Sequence, residues 1–473
     1  MLNALRRPAL HFIHVAIVVM VCVLLGGSYA AAATTDARPL MRFPDIYQNT
    51  IVFVHGEDIW KVSADGGVAT RLTINEGDER FPKFSPDGKL IAFTGEYDGN
   101  SDVYVMSVDG GDITRVTWHP GTDEVVGWHP TRNMILFNSR RVSFGRFARL
   151  FLINPDGTGL EMVPIHEAAR GSFAPDGGKI AYNRVARATR TWKRYQGGNE
   201  QNIYIYDLST KEDRMLTDFP GTDRYPMWGG DVVYFSSDRN RTLNLYALDP
   251  VSGAVTQLTK YTEYDVRRPS IGPAAPGTSG KMEYQVVYEL GGELHVYDSY
   301  TGEAHKVPVE VRADDPEARP YVKDVSEEVR GIDVSPSGKR AVLVARGEVF
   351  TVPRENGPAR NLTNSSGARD KDAAWSPDGK HIAYISDESG EYEIWLVDSR
   401  DANSKARLTT HENGYRHTLR WSPDSKKIAF ADQTLRCYIL DVGSKKITEV
   451  DRAEYENVDV SVDLKPIYDF AWS

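Results

Sequence analysis

Four stretches of this 473-residue chain place chemically capable residues at suggestive spacings. His166-Glu167-Ala168-Ala169-Arg170 begins like a zinc-peptidase helix, in which two histidines four apart ligate the metal and the glutamate acts as general base. Arg170 stands where the second histidine must be, so the ligand set is broken and an exposed connecting loop accounts for the stretch. Asp98, Asn100 and Asp102 have the alternating oxygen spacing that opens a calcium loop. Val103 fills the sixth position in place of glycine, and the bidentate glutamate is missing. A polar hairpin end explains the same residues. Asn361-Leu362-Thr363 matches a glycosylation sequon, yet a recurring Leu-Thr pair explains it equally well. Cys437, in Arg436-Cys437-Tyr438-Ile439-Leu440, reads as a buried strand residue. The chain has no Gly-x-Ser-x-Gly elbow, and none of its serines or histidines has a nucleophile's neighbours. The sequence predicts no metal, no cofactor and no catalytic residue.

The elements that carry these residues come from a repeat. Phe84-Ser85-Pro86-Asp87-Gly88 is followed by the apolar run Leu90–Phe93, a polar gap and Asp102-Val103-Tyr104-Val105-Met106. Proline presets φ, aspartate bonds its own backbone and glycine tolerates positive φ, so the unit is a hairpin around a tight turn. Copies start at Trp128, Phe173 and Trp228, then at Val334, Trp375, Trp421 and Trp472. Successive anchors lie 44, 45 and 55 residues apart in the first series and 41, 46 and 51 in the second. A period of about 40–45 residues built from short strands marks the blades of a β-propeller. The pairs Leu72-Thr73, Val116-Thr117, Leu216-Thr217, Leu258-Thr259, Leu362-Thr363, Leu408-Thr409 and Ile447-Thr448 read as the ends of outer strands. The aromatic anchors are expected to pack between neighbouring blades.

The first series gives six units between residues 40 and 308, enough to close a ring and leave no open sheet edge. The stretch 309–324, acidic and holding Pro316 and Pro320, is expected to link the domains. Residues 325–473 then supply three units and the opening of a fourth. The fold class is all-β, a six-bladed propeller followed by an incomplete second one. Repeats need neighbours to bury their faces, so the chain is expected to be the front part of a longer protein, the alternative being that partners cover the open end.

The formal net charge of −10 argues against a nucleic-acid partner, because phosphate binding needs a basic footprint. Residues 1–33 resemble a secretory signal, with Arg6-Arg7, an apolar run from Phe12 to Leu25, and Ser28-Tyr29-Ala30 as a cleavage site. An uncleaved anchor helix is the alternative reading. Losing Arg6 and Arg7 with the leader makes the mature chain two units more acidic. Cys22 lacks the flanking residues of a lipoprotein site and leaves with the leader. Cys437 is then alone, and no intramolecular disulfide can form. No later segment is apolar enough to span a bilayer.

Between the two strands expected in the fourth unit lies the insertion Trp192-Lys193-Arg194-Tyr195-Gln196-Gly197-Gly198, followed by Asn202-Ile203-Tyr204-Ile205-Tyr206-Asp207. With the domain order, it makes the chain after the leader resemble the N-terminal half of a tricorn-type protease. The Ser-Pro-Asp-Gly turns alone are shared with TolB-type propellers. The resemblance implies a second ring of seven blades, a serine-protease core downstream that this chain lacks, and propellers that channel peptides. It implies a homo-hexamer that trims peptides. It further implies that Arg140-Arg141 hold the carboxylate at a substrate's C-terminus, with Arg146 and Arg149 as nearby alternatives. Lys193 and Arg194 are weaker candidates for lining a tunnel. Forked guanidiniums suit a carboxylate, although a charged hairpin end is the plainer account of the pair. The leader points to the periplasm or outside, whereas the founding members of the family are cytoplasmic. Two other readings stay open: a non-enzymatic TolB-like periplasmic propeller that binds protein partners, and a propeller hydrolase with its own site.

Overall fold

A computed structural model describes residues 40–143, 147–188, 199–275, 282–313, 321–365, 367–410, 414–432, 436–452 and 471–472. Among the described residues there is no α-helix, and no helix is long and apolar enough to cross a membrane. The strands form nine four-stranded antiparallel sheets in strict chain order. Six of them, sheets 1 to 6, cover 42–71, 79–115, 123–162, 170–215, 223–257 and 267–306. Sheets 7 to 9 cover 329–361, 370–407 and 416–452.

The runs in sheets 1 to 6 are apolar on both faces because each of these sheets is covered twice. In the strand Leu90–Gly95, Ile91 and Phe93 pack against sheet 1, while Ala92 packs against sheet 3. Period two thus splits one strand between two interfaces. Apolar clusters join sheets 1 and 2, 2 and 3, 3 and 4, 4 and 5, and 5 and 6. A sixth, of Ile46, Ile51, Phe53, Val287, Leu294 and Val307, joins sheet 6 back to sheet 1 and closes the ring. Sheets 7 to 9 share two such clusters. The outward face of sheet 7 is bare: Ile332 is 70% exposed, and Val329 and Val334 are exposed beside it.

No four-stranded sheet is shared across the ring seam. Gln48 N donates to Pro273 O at 2.8 Å and Met41 N to Gly292 O at 3.0 Å. Gly272 lies so close that a Cβ there would sit 1.8 Å from the Ile46 carbonyl oxygen. Val309–Glu310, in the stretch expected to be linker, pairs in parallel with Gly67–Val68 and ties the chain back onto sheet 1.

The repeated turns behave as their chemistry dictates. The Ser85 hydroxyl bonds Asp87, Leu90 N donates to Ser85 Oγ, and Gly88 takes φ +71°. In the last full copy Ser425 replaces glycine at φ +60°. The indoles of Trp128 and Trp421 donate to Lys83 O and Ala374 O of the preceding inner strands, and Trp472 donates to Arg420 O in the same way. The Leu-Thr pairs differ from expectation. They lie just beyond the outer strands, and the threonine hydroxyl accepts the N–H of the third strand's residue 14 or 15 positions back, as Thr73 does from Ile59 and Thr259 from Leu245. Ile447-Thr448 instead opens its outer strand, Ile447–Arg452, because a tight turn at 441–446 brings the chain straight back.

Candidate functional site

The inner strands of sheets 1 to 6 surround a cavity of about 720 Å³. Five of the six strands reach it through a local irregularity, and the inner strand of sheet 4 pairs without one. Register shifts fall at Arg42/Asp45, Arg80/Lys83, Val125/Gly127, Arg224/Met227 and Arg267/Ser270. At four of these bulges a non-glycine residue takes positive φ: Phe43 at +51°, Phe81 at +53°, Tyr225 at +55° and Arg268 at +42°. Such backbone is rare and costs energy that the surrounding packing must supply. All four line the cavity, and so does Arg170 of sheet 4.

These five residues meet across the middle of the ring. The Arg268 guanidinium lies 4.4 Å from the Phe43 ring centroid, and Phe43 meets Phe81 edge-on at 4.5 Å. Arg170 reaches over from sheet 4 to lie 4.3 Å from Phe81 and 5.8 Å from Tyr225. Cations over aromatic faces attract the ring quadrupole, more strongly where water is excluded. The result is a belt on the cavity wall, and Pro86, Pro130, Pro175 and Pro273 also line the cavity. Arg170 is also ion-paired with Glu124, and Arg268 with Glu289 at 2.9 Å.

Lys83 Nζ sits 2.5 Å from Ser270 Oγ in the same cavity. A serine beside a lysine can be a nucleophile with its base. Here the Ser270 hydroxyl donates to Asp45, and Lys83 lies 3.3 Å from the same carboxylate. Burial pushes the Lys83 ammonium down and Asp45 opposes it. Asp45 also accepts Phe84 N at 2.7 Å, so the trio bridges sheets 6, 1 and 2 at the seam.

Arg140 and Arg141 follow the strand Ile135–Ser139, at the hairpin between the second and third strands of sheet 3, and neither lines the cavity. Arg140 is exposed. Arg141 is turned inward, ion-paired with the fully buried Asp123 and lying 5.1 and 5.3 Å over Phe137 and Phe151. Sheet 5 repeats this arrangement: Arg239 bonds Ser237 Oγ and Asp223, each at 2.9 Å, over Phe235 and Tyr246. Burial pushes the Asp123 and Asp223 carboxyls up and the guanidiniums oppose it. Arg149 lies in the strand Arg149–Ile153, with Nη1 3.6 Å from Met162 Sδ. Arg146, Lys193 and Arg194 lie outside the described residues.

The other sequence candidates are engaged locally. Arg115 binds Asp98 at 3.0 Å and Asp102 at 2.6 Å, and Asn100 Nδ2 donates to Asp102 and to His119 O. Ala168 N and Ala169 N donate to Ala148 O and Asn183 O, which fixes the His166–Arg170 stretch as a connection between sheets 3 and 4. Cys437 is half-buried, paired opposite Asp451, and burial pushes its thiol up.

A closed ring of six sheets followed by a second run of three defines a protein of consecutive β-propellers. The profile of the tricorn protease N-terminal beta propeller domain matches residues 38–303, and that of the tricorn protease second beta propeller domain matches 329–472. The chain belongs to the tricorn protease family. A tricorn protease homolog of Saccharolobus solfataricus is 24% identical over 420 residues, which is 88% of this chain and 37% of the relative. Tricorn protease homolog 1 of Streptomyces coelicolor is 26% identical over 433 residues, 89% of this chain and 39% of the relative. A crystal structure of the tricorn protease superposes with a TM-score of 0.55 at 20% identity, covering 89% of this chain and 40% of that one, which shows the shared fold. The chain thus spans at most about two fifths of the length of these relatives.

Proposed function

We propose that this chain is the peptide-docking and channelling portion of an exported serine protease that trims peptides. Cleavage belongs to a catalytic core outside these residues. The observation that carries the reading is the match to both propeller domains of a protease family around an axial cavity walled by aromatic rings and guanidiniums. The exposed apolar face of sheet 7 fits a second ring completed by further blades to seven, and a homo-hexamer is the assembly proposed for the full-length protein. Residues 1–33 direct it to the periplasm or outside.

Within this reading Arg140 holds the C-terminal carboxylate of the peptide. Arg141, committed to Asp123, sets the hairpin that presents it. Fluorescence anisotropy of labelled short peptides tests this. Arg140→Ala is expected to weaken peptides with a free C-terminus by about tenfold or more, the scale of one charge-assisted hydrogen bond, and to leave amidated peptides unchanged. Equal loss for both forms would remove the anchor.

A further inference from the structure

The wall of the axial cavity suits one manner of holding a peptide better than the others. Among the described residues, nine aromatic rings and seven prolines line it. Five of the rings, Tyr47, Trp128, Tyr225, Trp228 and Tyr284, are only half-buried. The indole N–H groups are already used, by Trp128 on Lys83 O at 2.9 Å and by Trp228 on Gly230 O at 3.1 Å. What these indoles have left to present is apolar ring surface. The hydroxyls of Tyr47 and Tyr225 form no hydrogen bond among the described residues.

A peptide can be gripped by its main chain, by its charges or by its apolar surface. Main-chain pairing needs an open strand edge, and the inner strand of each sheet is such an edge. Four of the six are blunted in the same way. The positive-φ residues Phe43, Phe81, Tyr225 and Arg268 are each followed by a proline: Pro44, Pro82, Pro226 and Pro269. A bulge next to a missing N–H interrupts any added ladder. Sheet 3 is bulged as well, and sheet 4 offers an unbroken edge of only four residues. The charges are equally committed. Lys83 lies 3.3 Å from Asp45 and Arg268 2.9 Å from Glu289, Arg170 is paired with Glu124, and Glu283 is engaged too. Among the described residues, no charged side chain of the wall is left over for a ligand.

Resting on the reading that this propeller docks peptides, we infer that its axial cavity takes uncharged, proline-rich peptide segments. Such a segment adopts the polyproline II form without internal hydrogen bonds, lays its pyrrolidine rings on aromatic surface and needs donors only for its carbonyls. The half-buried rings supply the surface, and the Tyr47 and Tyr225 hydroxyls supply donors. The volume of about 720 Å³ lies within the span of about 300–1,000 Å³ common for enclosed ligand sites.

Calorimetric titration of the whole chain tests this, with peptides acetylated and amidated so that no terminal carboxylate takes part. Blocked hexaproline is expected to bind. An alternating alanine-glycine peptide of equal length, which must be ordered on binding, is expected to bind about tenfold or more weakly. Blocked hexaglutamate is expected not to bind. Gly127 lines the cavity at an ordinary φ, with open space where a Cβ would stand. Gly127→Trp is therefore expected to fill the cavity and abolish hexaproline binding. Should that variant fail to fold, Tyr47→Phe combined with Tyr225→Phe, which removes only the two hydroxyls, decides: the expected loss is about tenfold. Arg140→Ala is expected to leave all three blocked peptides unchanged. Equal affinity for the alanine-glycine peptide, or tighter binding of hexaglutamate, would leave peptide docking standing and remove the preference. Binding of no blocked peptide, or undiminished hexaproline affinity in the variant that decides, would overturn the site. Peptides with a free C-terminus, compared between wild type and Arg140→Ala, then show separately whether docking itself survives.

Discussion

Replacing Arg141 by alanine separates its structural task from any role in binding. The substitution leaves Asp123, a fully buried carboxylate, without its cation. Removing one partner of a buried pair costs about 3–5 kcal/mol. The Arg141 side chain is 13% exposed, so the lower end applies, and losing its stack on Phe137 and Phe151 adds roughly 0.5–1 kcal/mol. The expected loss is about 3–4 kcal/mol at neutral pH. It should shrink in mild acid, because burial already pushes the Asp123 carboxyl up and the orphaned acid then takes a proton instead of staying charged. Arg140→Ala, at an exposed position with no such partner, should stay within about 0.5 kcal/mol. Arg239→Ala removes the same device from sheet 5 and should match Arg141→Ala. Urea unfolding followed by tryptophan fluorescence, for all three variants at neutral and mildly acidic pH, gives the comparison. An Arg141→Ala protein as stable as wild type, or one whose deficit grows in acid, would refute the account of the pair.

Two further outcomes follow from buried groups elsewhere. Burial pushes the Glu79 carboxyl up to about 7, against hydrogen bonds from Thr73, Tyr97 and Ile59 N. The unfolded chain releases that proton near pH 4.5 and the folded one near 7. Stability should therefore fall between those values, by up to about 3 kcal/mol, and level off above them. Glu79→Gln should flatten that part of the urea-midpoint profile, and an unchanged slope would show that Glu79 titrates normally. Gly272→Ala places a methyl group against the Ile46 carbonyl at the seam. It should cost several kcal/mol where the same change at the open position Gly367, whose φ is not positive, costs little, as differential scanning calorimetry would show.

The propeller architecture was legible because its signal is local. Each Ser-Pro-Asp-Gly turn, each aromatic anchor and each apolar run stands within about ten residues of the next. The cavity wall was hidden for the opposite reason. Three members of its belt come from positions three residues before an anchor: Phe81 before Phe84, Arg170 before Phe173, Tyr225 before Trp228. Those positions share a place in the strand but no residue type, so periodicity in hydrophobicity passes over them. Counting back from the anchors would have found them. The Arg140-Arg141 doublet drew attention as two adjacent charges. The comparison with Ser237-Asp238-Arg239 shows that only the second arginine of Ser139-Arg140-Arg141 belongs to the fold's own repeat, and that follows from setting the units side by side.

The seam has a consequence for how the protein is made. None of the six four-stranded sheets borrows a strand from the other end of the ring, so each can pair up as it is synthesised. The apolar face formed by Met41, Ile46, Ile51 and Phe53 cannot be covered until Val287, Leu294, Val296 and Val307 exist. At about 5–20 residues per second, that interval is on the order of tens of seconds. During all of it a finished sheet waits with a sticky flank and no partner of its own. The last contact to form, the parallel clasp of Val309–Glu310 on Gly67–Val68, comes only after the ring sequence is complete. The nascent chain's exposure to wrong partners is therefore set by the distance between its two ends and not by the stability of any blade.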